Sequence, residues 1–389
     1  MRIAIVNHIR LDRHLCRTTQ IEIIRNLSKL GHQIEFVIPS VKNKGIELPA
    51  NIHYVPVIDT PVLSILTFSL LVPFYMPLCV LKKSDFVLMD TFSLYGAAPM
   101  MILSKLRLIK TKFILDIRSV PVDTEGFYGY LFELQYKIAL IIARYLCDGI
   151  TVLTPKLKDK LIRKLKIKSD KIGVWGSGVS TSLFNNKNYK IISKKLKKEL
   201  KLEDKFIVMH HGFFSPNKGI KETVEAISSL KDDYPDIVLF ILGSERWQDL
   251  YKLVKEKKLQ KNVIIHKPVD YEEVPKYISI CDVGLSVLSD SSGWEDQRPL
   301  KLLEYLSMEK PVVVTDIPSN REIIKDEECG IFIPSNNPEE IAKAILYTYN
   351  NKSQLHELGS RGRAIVTSGY SWAYITKDLE WYLNSRLKT

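Results

Sequence analysis

Cysteine is scarce and unorganised in this chain. Its five residues, Cys16, Cys79, Cys147, Cys281 and Cys329, are odd in number and form no C-x-x-C or Cys/His cluster. That argues for a reducing compartment and against structural zinc. No Asp-x-Asp spacing suggests a divalent-metal site, and no Walker loop, helix-turn-helix, zinc-finger or RNP-like pattern is present. Short-period repeats and low-complexity tracts are missing as well. The N-terminal MRIAIV places one Arg before a short apolar run that soon meets His8, Arg10, Asp12 and Arg13. It reads as a first strand, too short for a signal peptide.

What is present is ordinary globular sequence with an excess of base. At 389 residues the chain is longer than one core usually grows, so two domains of roughly 150–200 residues are expected. Hydrophobic residues at 46% and charged residues at 26% exclude wholesale disorder. The net charge of +12 suits a nucleic acid, an anionic membrane surface or phosphorylated small molecules, and charge alone does not separate them.

The first half alternates apolar β-type runs, at 2–6, 33–38, 52–57, 85–89, 112–117 and 149–153, with helical patterns. The second half repeats the alternation, with strands expected at 206–211, 237–242, 263–266, 282–288, 311–315 and 330–333. Such βα units imply parallel sheets covered on both faces. Between the halves, after Ser169, Gly, Ser and Asn become dense and a basic helical stretch follows, which marks a boundary. The expected division is residues 1–178, joined by a terminal helix 370–389, and residues 179–369. Two doubly wound, Rossmann-like domains would then face each other across a cleft. Residues 61–81 carry no charge over about the length needed to cross a bilayer, but Pro73 and Pro77 interrupt them. They read as a membrane span, a packed helix or a surface helix touching membrane, the span being the least favoured. The basic run 156–168 reads as a solvated helix face or a surface for anionic headgroups.

The organising stretch is 281–324. A short apolar run gives way to polar and Gly residues, then Pro299 opens a helical pattern containing Glu304, and a further apolar run follows. Strand, loop, helix, strand puts a helix N-terminus at the carboxyl edge of a parallel sheet, where α/β proteins bind ligands. Asp296 and Glu304 bracket that helix start. In isolation they read either as an N-cap with a Lys301–Glu304 ion pair, or as two carboxylates accepting from sugar and ribose hydroxyls. In the latter case the backbone near Arg298, Pro299, Leu300 and Lys301 would hold phosphate. A second candidate is the loop HHGFFSPNKGI, where Gly212, Phe213, Lys218 and Gly219 precede a helix; glycines, a helix N-terminus and a Lys make a phosphate site or a plain turn. His210 and His211 end an apolar run and read as packing, and His266 is assigned no chemistry.

GFFSPNKG, the acidic pair eight apart and PLKLLEYLSMEKPVVVTDIPSNREII together resemble the retaining, nucleotide-sugar-dependent GT-B glycosyltransferases of the group 1 family. The resemblance covers nearly the whole second half. More weakly, GVSTSLF is similar to that family's linker motif, LDIRS to the loop after its fifth strand and SGYSWAYITKDLEWYL to its terminal helix. It implies that Glu304 binds the ribose hydroxyls, that Asp296 contacts the transferred sugar and that Lys218 contacts the donor phosphates, with Arg298 assisting. It also implies a UDP- or GDP-linked sugar donor, no obligatory cofactor or metal, and a hydroxyl acceptor such as a lipid-linked or cell-surface glycan. Asp stands at 296 where the family has Glu, Phe213 stands where it often has Arg, and no Gly follows the first strand. The family's N-domain His has no clear match, and Asp116, Arg118 and Ser119 occupy that loop. The expected location is the cytoplasm, including the inner membrane face, with no nucleic-acid partner. Competing expectations are a nucleotide-sugar epimerase and a basic, membrane-associated binding protein with a degenerate donor pocket.

Overall fold

The computed structural model describes residues 1–11, 18–40, 47–77, 84–122, 126–212, 218–243, 248–289, 296–325 and 329–388. The chain forms two compact units: Met1–Gly176 with Trp372–Thr389, and Ser177–Ser371. Each is a parallel sheet with helices. In the first, β1 (Arg2–Val6), β2 (Gln33–Pro39), β3 (Asn51–Val55), β4 (Phe86–Met89), β5 (Lys112–Ile117), β6 (Gly149–Val152) and β7 (Ile172–Val174) lie in the order 3-2-1-4-5-6-7. In the second, β8 (Phe206–Gly212), β9 (Ile237–Gly243), β10 (Val263–His266), β11 (Val283–Ser286), β12 (Val312–Thr315) and β13 (Gly330–Ile333) lie in the order 10-9-8-11-12-13. Every pairing is parallel. Both sheets therefore reverse their winding once, at β1/β4 and at β8/β11, which opens a crevice at the carboxyl ends of those strands.

The two-sided covering is visible in the strand sequences. In the second unit Ile207, Met209, Val238, Phe240, Val312 and Val314 bury into one core. Their neighbours Phe206, Val208, Leu239, Ile241 and Val313 bury into the other. A strand covered on both faces has no polar side to show, so its residues run apolar without alternation.

Strand β7 is a departure from the sequence reading, which placed the turn-rich boundary there. Three residues, Ile-Gly-Val, carry too little pattern to announce a strand. Its place is fixed by the terminal helix Trp372–Leu387. The Tyr382 hydroxyl donates to the Lys171 carbonyl at 2.7 Å and accepts from the Ile150 N–H at 3.2 Å. A Cβ at Gly149 or Gly173 would come within 2.2 Å or 2.5 Å of the Tyr382 side chain, so those glycines let the ring lie directly on the sheet. Tyr382→Ala is expected to cost about 3–5 kcal/mol of stability, measurable as a lowered denaturant midpoint at unchanged slope.

The uncharged segment forms the helix Pro61–Met76, started by the Thr60 hydroxyl accepting from the Leu63 N–H. Residues 78–81 of that segment lie outside the described residues. Phe68, Val72 and Met76 bury into the core of the first unit, while Leu70 and Phe74 are 70% exposed. Among the described residues no helix is long and apolar enough to cross a membrane.

Candidate functional site

The helix Leu300–Ser307 is the base of the site. Its N-cap is Pro299, with no side-chain cap, so the reading of Asp296 as an N-cap is not realised. Asp296 is instead buried, with 2% of its surface exposed. The helix lies close to the sheet because β11 has a glycine beneath it: a Cβ at Gly284 would stand 2.3 Å from the Tyr305 ring. The Tyr305 hydroxyl donates to the Met209 carbonyl at 2.8 Å and accepts from the His211 N–H at 3.1 Å. Burial first, then the nearby Cys281 and Glu304, hold its pKa well above the ordinary phenol value, so it stays a neutral donor. One ring thus locks helix and β8 in register.

With that register set, the side chains flanking Tyr305 reach the two histidines at the end of β8. Glu304, 8% exposed, meets His211 Nε2 through its Oε2 at 2.7 Å. The His211 ring stands edge-on to Tyr305 at 4.7 Å, and its Nδ1 is buried with no partner among the described residues. Half-buried Lys301 places Nζ 2.9 Å from His210 Nε2. Burial, then the charge of Lys301, depresses the His210 pKa well below the usual imidazole value, so His210 is a neutral acceptor. Burial and the charge of Lys218 likewise push Lys301 well below the usual amine value. The expected Lys301–Glu304 ion pair is therefore replaced by two contacts to β8. Sequence reasoning assigned both histidines to packing and missed this role. The only signal for it was a His-His pair directly before a strand-ending glycine.

The cations and helix ends converge on the same edge. Lys218 is half-buried and its charge acts on both His210 and Lys301. Gly219 follows with φ +67°, and a Cβ there would sit 2.0 Å from the Val287 carbonyl oxygen. Only glycine allows the helix Ile220–Leu230 to start that close to the segment after β11. Its first N–H groups have no partner within the helix, and the Gly219–Val287 approach sets that helix start beside the segment that follows β11. Gly212 ends β8 with φ +111°; Phe213 lies outside the described residues. Such an edge, with lysines, a helix N-terminus and a braced carboxylate, can hold a polyanion beside a polyol.

Arg298 differs from expectation. The sequence left Asp296 as its only close acid, but the guanidinium pairs with Glu322 and lies 5.3 Å from the Tyr370 ring centre. Tyr370 donates to the Glu322 carbonyl at 3.0 Å, so Arg298 is tied into a bracket that fixes residues 298–300 from behind.

In the first unit Asp116, which lies in β5 and not in the loop after it, and Arg118, just beyond the strand, make structural contacts. Asp116 accepts from Thr151 Oγ1 at 2.7 Å and Trp175 Nε1 at 3.0 Å. Arg118 donates to the Trp175 and Gly176 carbonyls at 3.0 and 2.8 Å and stacks 3.8 Å above the Trp175 ring. At the end of β4, Asp90 accepts from the N–H groups of His8, Phe92 and Ser93 and contacts His8 Nδ1 at 2.7 Å. Burial alone would raise its pKa, but the His8 ring and these donors hold it below the usual carboxylate value.

Residues 192–365 match the family Glycosyl transferases group 1, and residues 18–183 match Glycosyltransferase Family 4. The second half of the chain thus matches the group 1 glycosyltransferases, the first half matches a further glycosyltransferase family, and the fold is of GT-B type. The curated relatives of this chain are distant. The capsular polysaccharide biosynthesis glycosyltransferase CapM of Staphylococcus aureus is 24% identical over 71% of this chain and 70% of its own. The alpha-D-kanosaminyltransferase of Streptomyces kanamyceticus is 24% identical over 57% of this chain and 56% of its own. A Bacillus subtilis protein, YtcC, is covered over 60% of its length, so the chain spans less than two thirds of several relatives it matches. Among solved structures, Anabaena HepE in complex with UDP and glucose shares the fold at TM-score 0.79 and 13% identity, over 99% of this chain and 100% of that one. WaaG, a glycosyltransferase involved in lipopolysaccharide biosynthesis, shares it at TM-score 0.74 and 14% identity, over 98% and 99%.

Proposed function

We propose that the protein transfers a sugar from a nucleotide-diphospho-sugar to a hydroxyl acceptor with retention of anomeric configuration. The observation that carries this reading is the edge where Lys218, Lys301 and the Gly219-started helix gather beside the His211–Glu304 pair. Cations and unpaired N–H groups match a diphosphate, and the braced carboxylate matches the vicinal hydroxyls of a ribose. We assign Glu304 to the ribose, Lys218 to the diphosphate and Asp296 to the transferred sugar; Arg298 serves by bracing the loop. The UDP and glucose in HepE and the capsular role in CapM's name support a UDP-type donor and a glycan acceptor.

When the bond from the anomeric carbon to the diphosphate oxygen breaks, its electron pair stays on the diphosphate. Fixed positive charge at Lys218 and the helix end stabilises that developing charge without reorganisation. A thermal-shift panel of UDP-, GDP- and CMP-linked sugars tests the reading, since a ligand at a hundredfold excess over Kd stabilises by about 2.7 kcal/mol. UDP- or GDP-sugar is expected to raise Tm and the monophosphate CMP-sugar to do so less. No shift with any diphosphate donor refutes the donor assignment, and an inverted anomer in the product refutes retention alone.

A further inference from the structure

Three helices of the first unit pack side by side: Pro61–Met76, Ser93–Lys105 and Gly126–Leu146. The first two meet at their backbones, since a Cβ at Gly96 would stand 2.5 Å from the Ser69 carbonyl oxygen. The third is tied in by Tyr95 donating to the Gln135 carbonyl at 2.7 Å and Gln135 Nε2 donating to the Thr91 carbonyl at 2.9 Å. Their inner faces supply Phe68, Leu94, Met101 and Ala139 to the core.

Their outer faces are apolar too. On the first helix Leu63, Leu66, Leu70 and Phe74 are exposed at intervals of three and four. On the third, Phe127, Leu131, Leu134, Ile138, Ile141 and Tyr145 are exposed at intervals of four and three. Those spacings put each set on one side of its helix. Ile102, Leu106 and Leu108 are exposed at the end of the middle helix. Apolar surface on this scale marks an interaction site.

The charge on these helices selects the partner. Their only acid is Glu133, paired with Lys137 at 2.8 Å, and of their other bases Lys105 pairs with Asp148 at 2.8 Å while Arg144 remains; exposed Arg107 and Lys110 follow the middle helix. In a two-fold dimer through this face the excess base of Arg107, Lys110 and Arg144 would meet the same excess, since Glu133 and Asp148 are already paired with lysines. A bilayer with anionic headgroups answers it, and exposed Phe127, Tyr128, Tyr130 and Tyr145 are of the kind that settles at a headgroup boundary. No described helix is built to cross, so the face lies on the membrane.

We propose that this three-helix face docks the protein on an anionic phospholipid bilayer. The proposal does not rest on the donor reading, and its test needs no activity. The full chain is sedimented with vesicles of phosphatidylcholine alone or mixed with phosphatidylglycerol, beside Leu70→Glu/Phe74→Glu, Phe127→Glu/Leu131→Glu and, as a control away from the face, Trp381→Glu. Binding is expected on the mixed vesicles, weakened by salt, and reduced on the order of tenfold or more in each double variant but not in the control. These side chains are exposed, so circular dichroism should show all variants folded. Wild-type protein that ignores mixed vesicles, or variants that bind as wild type does, overturn the proposal. So does a wild-type dimer that becomes monomeric in the variants without vesicle binding, which assigns the face to a second copy.

Discussion

Glu304→Ala is expected to raise the KM for the nucleotide-sugar by about a hundredfold or more while kcat falls far less. A buried carboxylate that accepts from two ribose hydroxyls contributes two charge-assisted hydrogen bonds, each worth about 1.5–3 kcal/mol. The ribose is remote from the breaking bond, so those bonds are equally strong in ground and transition states and their loss appears in KM. His211→Ala should show the same KM-weighted pattern at smaller size. The imidazole 2.7 Å from the carboxylate holds it in place, so under the proposed assignment His211 acts through Glu304 as a positioning residue. His211→Asn or His211→Gln, which restores a donor, should recover part of the loss; a merely structural role would move stability and leave the KM-to-kcat split unchanged. Equal losses of kcat and kcat/KM in Glu304→Ala would move that residue from the ribose to the reacting centre.

Much of the fold was readable because its strands are covered on both faces. Uninterrupted runs such as IVLFIL, 237–242, and VVVT, 312–315, mark buried parallel strands when helical patterns separate them. Strand β7 escaped because three residues have no period, and its anchor is Tyr382, more than two hundred residues away. The site divides along the same line. Glu304 and Lys301 were legible as positions on one helix near its start. Their partners were not, because helical spacing says which residues share a face and nothing about what the face meets. His211 and Glu304 are 93 positions apart, and they join only because Gly284 lets Tyr305 settle onto the sheet. Arg298 shows the converse failure: a nearby acid in sequence, Asp296, drew attention from Glu322, which the fold brings to it.

Lys218→Ala is expected to lower kcat by about a hundredfold to a thousandfold, the usual consequence of removing one preorganised group that meets charge developing in the transition state. The diphosphate gains negative charge as the anomeric bond breaks, so the contact strengthens along the reaction and its loss falls on kcat. Lys301 cannot simply take over. It is held at His210 Nε2, and burial, the first cause of its depressed pKa ahead of the Lys218 charge, persists when Lys218 is removed. That coupling gives a second readout. His210 is neutral, Glu304 is braced by His211, and the charge opposing protonation of Lys301 is Lys218. In the native protein nucleotide affinity should fall as pH rises through the depressed Lys301 value, because the amine loses its proton and the phosphate loses a cation. Removing Lys218 removes the repulsion, raises the Lys301 value and moves that fall to higher pH, which calorimetric titration of UDP across a pH series measures. A kcat unchanged in Lys218→Ala would detach this lysine from the leaving group. An unmoved pH dependence would show that burial alone sets the state of Lys301.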